Sequence, residues 1–141
     1  MSWGPITSVD IEPRLSGAEL NALRTKVLAN GQTDPITPVI ADTVEEVRGH
    51  IASYSGDGSL GAAGTIPARL RAATIAVIAF RLTLRLPVET SDPSITSARR
   101  SEAEAAFRLF SKVESGDFAV DQPEASSASG GSWGSRQRVR F

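Results

Sequence analysis

Ala72-Ala73-Thr74-Ile75-Ala76-Val77-Ile78-Ala79-Phe80 decides the fold of this 141-residue chain. The run is apolar nearly all round. A helix with no polar face is surrounded by other elements. Arg71 and Arg81 bound the run, which falls well short of the roughly 20 residues needed to cross a bilayer. It therefore reads as the central helix of a protein core. Its alanines let neighbours approach closely. The spacing predicts a helix starting at Pro67, after Thr65 or Ile66, and running to about Leu86, where Pro87 ends it.

Three further helices flank it. Ser16 and Glu19 form a capping box, in which the hydroxyl and the carboxylate satisfy amides that the helix start leaves unpaired. Leu15 and Leu20 stand at the positions of a hydrophobic staple. Leu20, Leu23 and Val27 share a face, and Asn30-Gly31 supplies a stop. The second helix is expected near Thr37, with Pro38 at its first position. Ile40, Val44, Val47, Ile51 and Tyr54 make one apolar stripe on it, with Asp42, Glu45, Glu46 and Arg48 off the stripe. The fourth helix opens at the cap Asp92-Pro93. Ile95, Ala98, Ala105, Leu109 and Val113 can form its inner face, and Gly116 closes it. Arg100, Glu104 and Arg108 stand four apart and can pair along the outer face. The segment 118–120 adds a short strand or docks. No alternating strand pattern of any length is present, and there is no internal repeat. The expected class is all-α: a bundle of about four helices over residues 1–116.

From Asp117 onward the character changes. Residues 126–132, Ser-Ser-Ala-Ser-Gly-Gly-Ser, cannot bury enough apolar surface to offset their chain entropy. Trp133 and Phe141 then bracket Arg136, Arg138 and Arg140. Residues 117–141 thus read as an extended arm with an adhesive tip. Trp and Arg are preferred anchors at protein interfaces. The alternation of Arg136, Arg138 and Arg140 suits a strand laid along a partner's sheet edge. Contact with nucleic acid is the other reading, through arginine and aromatic stacking. Three arginines are a small patch for independent DNA binding at physiological salt. Docking on protein is favoured.

Composition sets the outer bounds. The length suits one domain, and the hydrophobic (40%) and charged (22%) fractions fit a soluble globular one. The net charge of −1 argues against coating nucleic acid through bulk positive charge. From Pro123 onward three Arg stand against Glu124, so the tail carries +2 and the rest −3. The tail can thus meet an acidic surface or a neighbouring copy of its own body. With no cysteine, disulfides, thiolate metal sites and cysteine nucleophiles are excluded. The amino terminus lacks the basic stretch and apolar run of a secretory signal, so a soluble protein made in a cytoplasm is expected.

Few groupings could carry chemistry. Residues 56–61, Gly-Asp-Gly-Ser-Leu-Gly, match G-x-G-x-x-G, but a helix rather than a strand feeds the loop and no P-loop Lys-Ser/Thr pair follows. A helix connector extending to Gly64 explains the glycines better. His50 is the only histidine and sits at the edge of the apolar stripe. A triad would need it, yet none of Ser53, Ser55 and Asp57 is on a nucleophile elbow. One His without Cys makes a zinc site improbable. Glu45 and Glu46 point about 100° apart on a helix and are no facing acid–base pair. Glu102 and Glu104 are also poorly aligned. No catalytic residue, cofactor site or metal site is expected.

One family shares this layout. The opening Ile6-Thr-Ser-Val-Asp-Ile11, the Ile40-Ala-Asp42 helix running into His50-Ile51-Ala-Ser-Tyr54, and the Ile66-Pro67-Ala-Arg-Leu70 entry to the Ala-rich helix carry the likeness. So does the segment Arg99-Arg100-Ser-Glu-Ala-Glu-Ala-Ala-Phe-Arg-Leu-Phe110 with Ser115-Gly116-Asp117. On these features, and on its aromatic- and Arg-bearing end, the chain resembles the Mu-like bacteriophage head–tail adaptor (connector) proteins. It departs from their pattern after the second helix, where the loop of residues 56–64 replaces an aromatic/Arg-Tyr and Pro element. The resemblance implies a structural, non-enzymatic subunit of a homo-oligomeric ring, with twelve copies to match the portal. It implies as partners the portal protein, the next neck or tail-completion protein, and DNA passing through the lumen without sequence recognition. It places the protein in the virion neck, after assembly in the host cytoplasm, with no membrane. Trp133, Arg136, Arg138, Arg140 and Phe141 are the expected partner contacts, and the loop of residues 56–64 is a second candidate. The rival class is a small helical DNA-binding or regulatory protein with a basic tail.

Overall fold

A computed structural model describes residues 3–25, 35–55 and 60–120. Helix accounts for 71% of these residues, which puts the protein in the all-α class. Five α-helices occur among them: α1 (Ser8–Ile11), α2 (Gly17–Thr25), α3 (Ile36–Ser55), α4 (Arg71–Thr83) and α5 (Pro93–Ser115). Two three-residue strands, β1 (Trp3–Pro5) and β2 (Thr65–Pro67), pair antiparallel with Gly4 opposite Ile66. The three long helices α3, α4 and α5 all pack on one another.

As its composition requires, α4 lies at the centre, with Thr74, Ala76, Val77, Ile78, Ala79, Leu82 and Thr83 buried. The two buried threonines donate their hydroxyls back to the carbonyls of Leu70 and Ala79, so neither is left unsatisfied in the core. Around α4 lie Ile36, Ile40, Val44, Val47 and Ile51 of α3, and Ala103, Ala106, Phe110 and Val113 of α5. Ile6, Ile11, Leu15 and Leu23 close the core from the amino-terminal side. The capping box forms as expected. The Ser16 amide donates to Glu19 Oε1 (2.8 Å) and the Glu19 amide donates to Ser16 Oγ (3.1 Å).

Several expectations need correction. Helix α3 starts at Ile36, next to Thr37 as expected, but Pro38 is its third residue rather than its first. Pro38 falls in the first turn, where its missing amide has no intrahelical partner to lose. Tyr54 leaves the stripe and is 61% exposed. A 4-3-4-3 spacing averages 3.5 residues, so the stripe drifts around a 3.6-residue helix. The helix predicted from Pro67 to Leu86 is shorter at both ends. Thr65–Pro67 is strand β2 and Ala68–Leu70 a 3-10 turn. Pro67 is tolerated because a two-stranded ribbon consists only of edges. The inner face of the fourth helix keeps Val113, with Leu109 packed against the core, but is otherwise rotated from the expected one. Ile95, Ala98 and Ala105 are exposed, and the inner positions are Arg99, Ala103, Ala106, Phe110 and Val113. Of the outer-face residues, Arg100 lies 5.7 Å over the Phe80 ring.

Both ends of α5 follow the sequence. Asp92 caps it by accepting the Ser94 amide (2.9 Å), and Gly116 closes it at φ 85°. The segment after Gly116 docks rather than forming a strand: Phe118 and Val120 pack on the core and Arg69 donates to the Ala119 carbonyl (3.2 Å). Val27, Asn30 and Gly31 lie outside the described residues.

Candidate partner-binding surfaces

The arm residues Trp133, Arg136, Arg138, Arg140 and Phe141 lie outside the described residues, as do positions 56–59 of the glycine-rich loop. The remainder of that loop has a definite architecture. Arg48 projects from α3 and gathers three backbone carbonyls: Nη1 donates to Ala62 O (2.9 Å) and Thr65 O (2.6 Å), and Nη2 to Gly61 O (3.1 Å). Its guanidinium carbon lies 5.8 Å from the centre of the Trp3 ring. Trp3 also covers Gly61 so closely that a Cβ there would meet the indole at 2.8 Å. Arg48 thus ties the loop exit to the β-ribbon. In the sequence it reads as a solvated charge off the apolar stripe. The carbonyls it serves are 13 to 17 residues away and carry no side-chain signature.

Arg99 is the second inward cation. It bonds Glu19 through both nitrogens (Nη1 to Oε2 2.7 Å, Nη2 to Oε1 3.0 Å), Thr83 Oγ1 (2.8 Å) and Arg14 O (2.8 Å). Burial pushes the Glu19 carboxyl up. The Arg99 hydrogen bonds, the Ser16 amide and the Arg99 charge outweigh that, and its pKa lies below the ordinary value. A sequence signal for this pair exists. Arg99 precedes Ala103, Ala106, Phe110 and Val113 at the same 4-3-4-3 spacing as the apolar residues.

Other charges also join elements. His50 Nδ1 meets Glu114 Oε1 and its ring stacks on Phe110 at 5.6 Å, so the lone histidine links α3 to α5. Glu46 pairs with Arg81 (2.8 Å), Glu102 with Arg14 (3.1 Å) and Asp10 with Arg71 (2.6 Å). The Asp10 carboxyl is held below its ordinary range first by the Thr7 amide; burial opposes this, and the hydrogen bond and charge of Arg71 add to the lowering. Among the described residues no group of three His, Cys, Asp or Glu could hold a metal ion. No helix among them is long and apolar enough to cross a membrane.

Among the described residues, two surfaces beside α4 are open to a partner. Around the α4–α5 turn Leu84, Val88 and Ile95 are 59%, 88% and 42% exposed. Between α4 and α5 runs a groove of about 310 Å³ walled by Ala72, Ala73, Ala76, Ala105, Ala106 and Leu109, with the Arg14–Glu102 pair at its rim. The groove was not legible beforehand, because the face that α5 turns outward depends on Arg99 being inside. Comparison of the chain with protein-family models, with curated proteins and with solved structures gives no match.

Proposed function

We propose that this protein is a structural head–tail connector subunit of a tailed bacteriophage. Copies form a ring between the portal and the next neck or tail-completion component, and DNA passes through the lumen without being read. The ring has twelve copies, to match the portal, and resides in the virion neck. The family resemblance supplies this reading.

The observation that best supports it is a division of labour among side chains. The inward cations Arg48 and Arg99 are each spent on fastening one chain segment to another. Of the large apolar side chains left in solvent, Leu84, Val88 and Ile95 lie around the α4–α5 turn, while Val9 and Tyr54 stand on α1 and α3. Such a turn on a cross-braced body suits contact with another protein. The sequence of the arm adds a Ser/Gly spacer and a tip of Trp and Arg, the residue types that anchor interfaces. Many weak arm contacts repeated around a ring gain strength through avidity.

Deletion of residues 123–141 tests the reading. The truncated body should melt cooperatively as a helical protein, while particles made with it fail to join heads to tails. Normal joining by the truncated chain would remove the arm from the assembly. A DNA shift assay over a salt series addresses the rival class. Affinity that falls steeply with salt would favour a DNA-binding protein; little binding at any salt agrees with a connector.

A further inference from the structure

We propose that the groove between α4 and α5 receives Trp133 of a neighbouring copy of this chain. The inference rests on the connector reading and adds the acceptor surface that reading lacks.

The groove has the right chemistry for an indole. Its alanine side chains stop at Cβ, leaving an apolar trough of about 310 Å³, with Ala72 and Ala105 turned to solvent. That volume is at the low end of sites that enclose a small molecule. The rim offers one strong acceptor. Glu102 uses Oε1 to accept from Arg14, and a carboxylate has further acceptor capacity. An apolar trough with a single acceptor at its edge matches an apolar ring with a single N–H donor. This favours Trp133 over Phe141, which has no donor.

Chain length permits a neighbour as well as the same copy, and the connector reading selects the neighbour. Arg69 holds the Ala119 carbonyl one turn before Ala72, so the chain leaves the body at the end of α4 where the groove lies. A few residues would suffice to reach that groove in the same copy. Residues 121–132 precede Trp133, and such a segment spans up to about 40 Å when extended. A body of this size has a radius of gyration of about 13 Å. The spacer is therefore long enough to cross from one body to the next.

The absence of cysteine allows a clean test. One chain carries Ser132→Cys, beside an intact Trp133. A second carries Ala105→Cys, or Ala72→Cys on the opposite wall; both wall positions are exposed, so the fold tolerates the change. The two full-length chains are mixed at about 1 mM, where a contact with a millimolar Kd is substantially occupied, and oxidised. The expected product is a disulfide-linked pair of unlike chains. Adding Trp133→Ala to the Ser132→Cys chain should cut its yield at least about tenfold, as loss of a Trp anchor does at interfaces. A yield that ignores Trp133, or that equals the yield from Ser101→Cys on the outer face of α5, overturns the proposal. A chain bearing both cysteines that closes on itself without linking to another also overturns it, in favour of docking within one copy. Particles that join heads to tails with Trp133→Ala chains would leave the connector reading standing and sink the groove assignment alone.

Discussion

Arg99 and Glu19 face each other through two hydrogen bonds of 2.7 and 3.0 Å, which fasten α5 to the first turn of α2 across 80 residues of sequence. Both side chains are nearly buried. The same guanidinium bonds Thr83 and the Arg14 carbonyl, and the same carboxylate accepts the Ser16 amide. Both terminal nitrogens of the guanidinium and both oxygens of the carboxylate are thus occupied. Arg99→Met removes one partner and leaves Glu19 charged and unpaired, a change that costs about 3–5 kcal/mol at buried pairs. Urea unfolding should show this as a fall in midpoint with an unchanged slope. Adding Glu19→Leu to Arg99→Met should recover a large part of the loss. A single-variant loss under about 1 kcal/mol, the range of a surface pair, would show that the pair is solvated.

Acid should weaken the same joint. Glu19, Asp10 and Asp92 all titrate below their ordinary values in the folded protein. For Asp92 the cause is first the Ser94 hydroxyl and then the Ser94 amide. A carboxyl with a lowered folded pKa adds stability above its unfolded pKa and loses it as pH falls through the folded one. The melting temperature should therefore hold steady from neutral pH down to about 5 and drop below about 4. Glu19→Gln should lower the plateau and flatten the acid limb. An acid limb as steep in Glu19→Gln as in the parent would assign the acid sensitivity to other carboxylates.

Much of this fold was legible because periodicity and caps are local. The apolar run around Val77, the capping box at Ser16, the Asp92 cap and the Gly116 stop each sit within a few residues, and each stands where the sequence puts it. The misses are non-local. Strand β2 exists only because Trp3–Pro5 lies beside it, and a three-residue ribbon has no period to detect. The inner face of α5 was partly misplaced because an arginine holds one of its inward positions. An inward Arg99 is favourable only with Glu19 opposite, and that pairing spans the chain. The partner surfaces inherit the same difficulty, since turning Arg99 inward exposes Ile95, Ala98 and Ala105.

Gly116 should resist substitution for two separable reasons. Its φ of 85° is a left-handed conformation, and a Cβ there would come within 2.5 Å of Tyr54 Cε1. Tyr54 is exposed, so its ring can swing aside, whereas the backbone has no such escape. Gly116→Ala should cost about 1–2 kcal/mol, most of it backbone strain. Repeating the substitution in a Tyr54→Ala background checks the division. A cost that disappears there would place the whole effect in the ring contact.

The most local failure should come from Arg48. Its guanidinium serves the carbonyls of Gly61, Ala62 and Thr65 from a nearly buried position under Trp3. Arg48→Met keeps an unbranched stem against the indole but withdraws the guanidinium donors from all three carbonyls, of which Ala62 O still accepts from the Thr65 amide and hydroxyl. Bonds to a charged group contribute about 1.5–3 kcal/mol each when a single partner is removed. The loop is near the surface and can rehydrate, so the total should fall toward the low end of that range for one bond rather than three. Lysine should not rescue, because an ammonium is a point donor and cannot reproduce the planar fork that reaches three acceptors. Hydrogen exchange gives the discriminating measurement. Amides of residues 61–67 should lose protection in Arg48→Met and Arg48→Lys alike, while those of α4 and α5 keep theirs. Loss of protection spread evenly over α4 and α5 would mean that Arg48 stabilises the whole bundle instead of one loop.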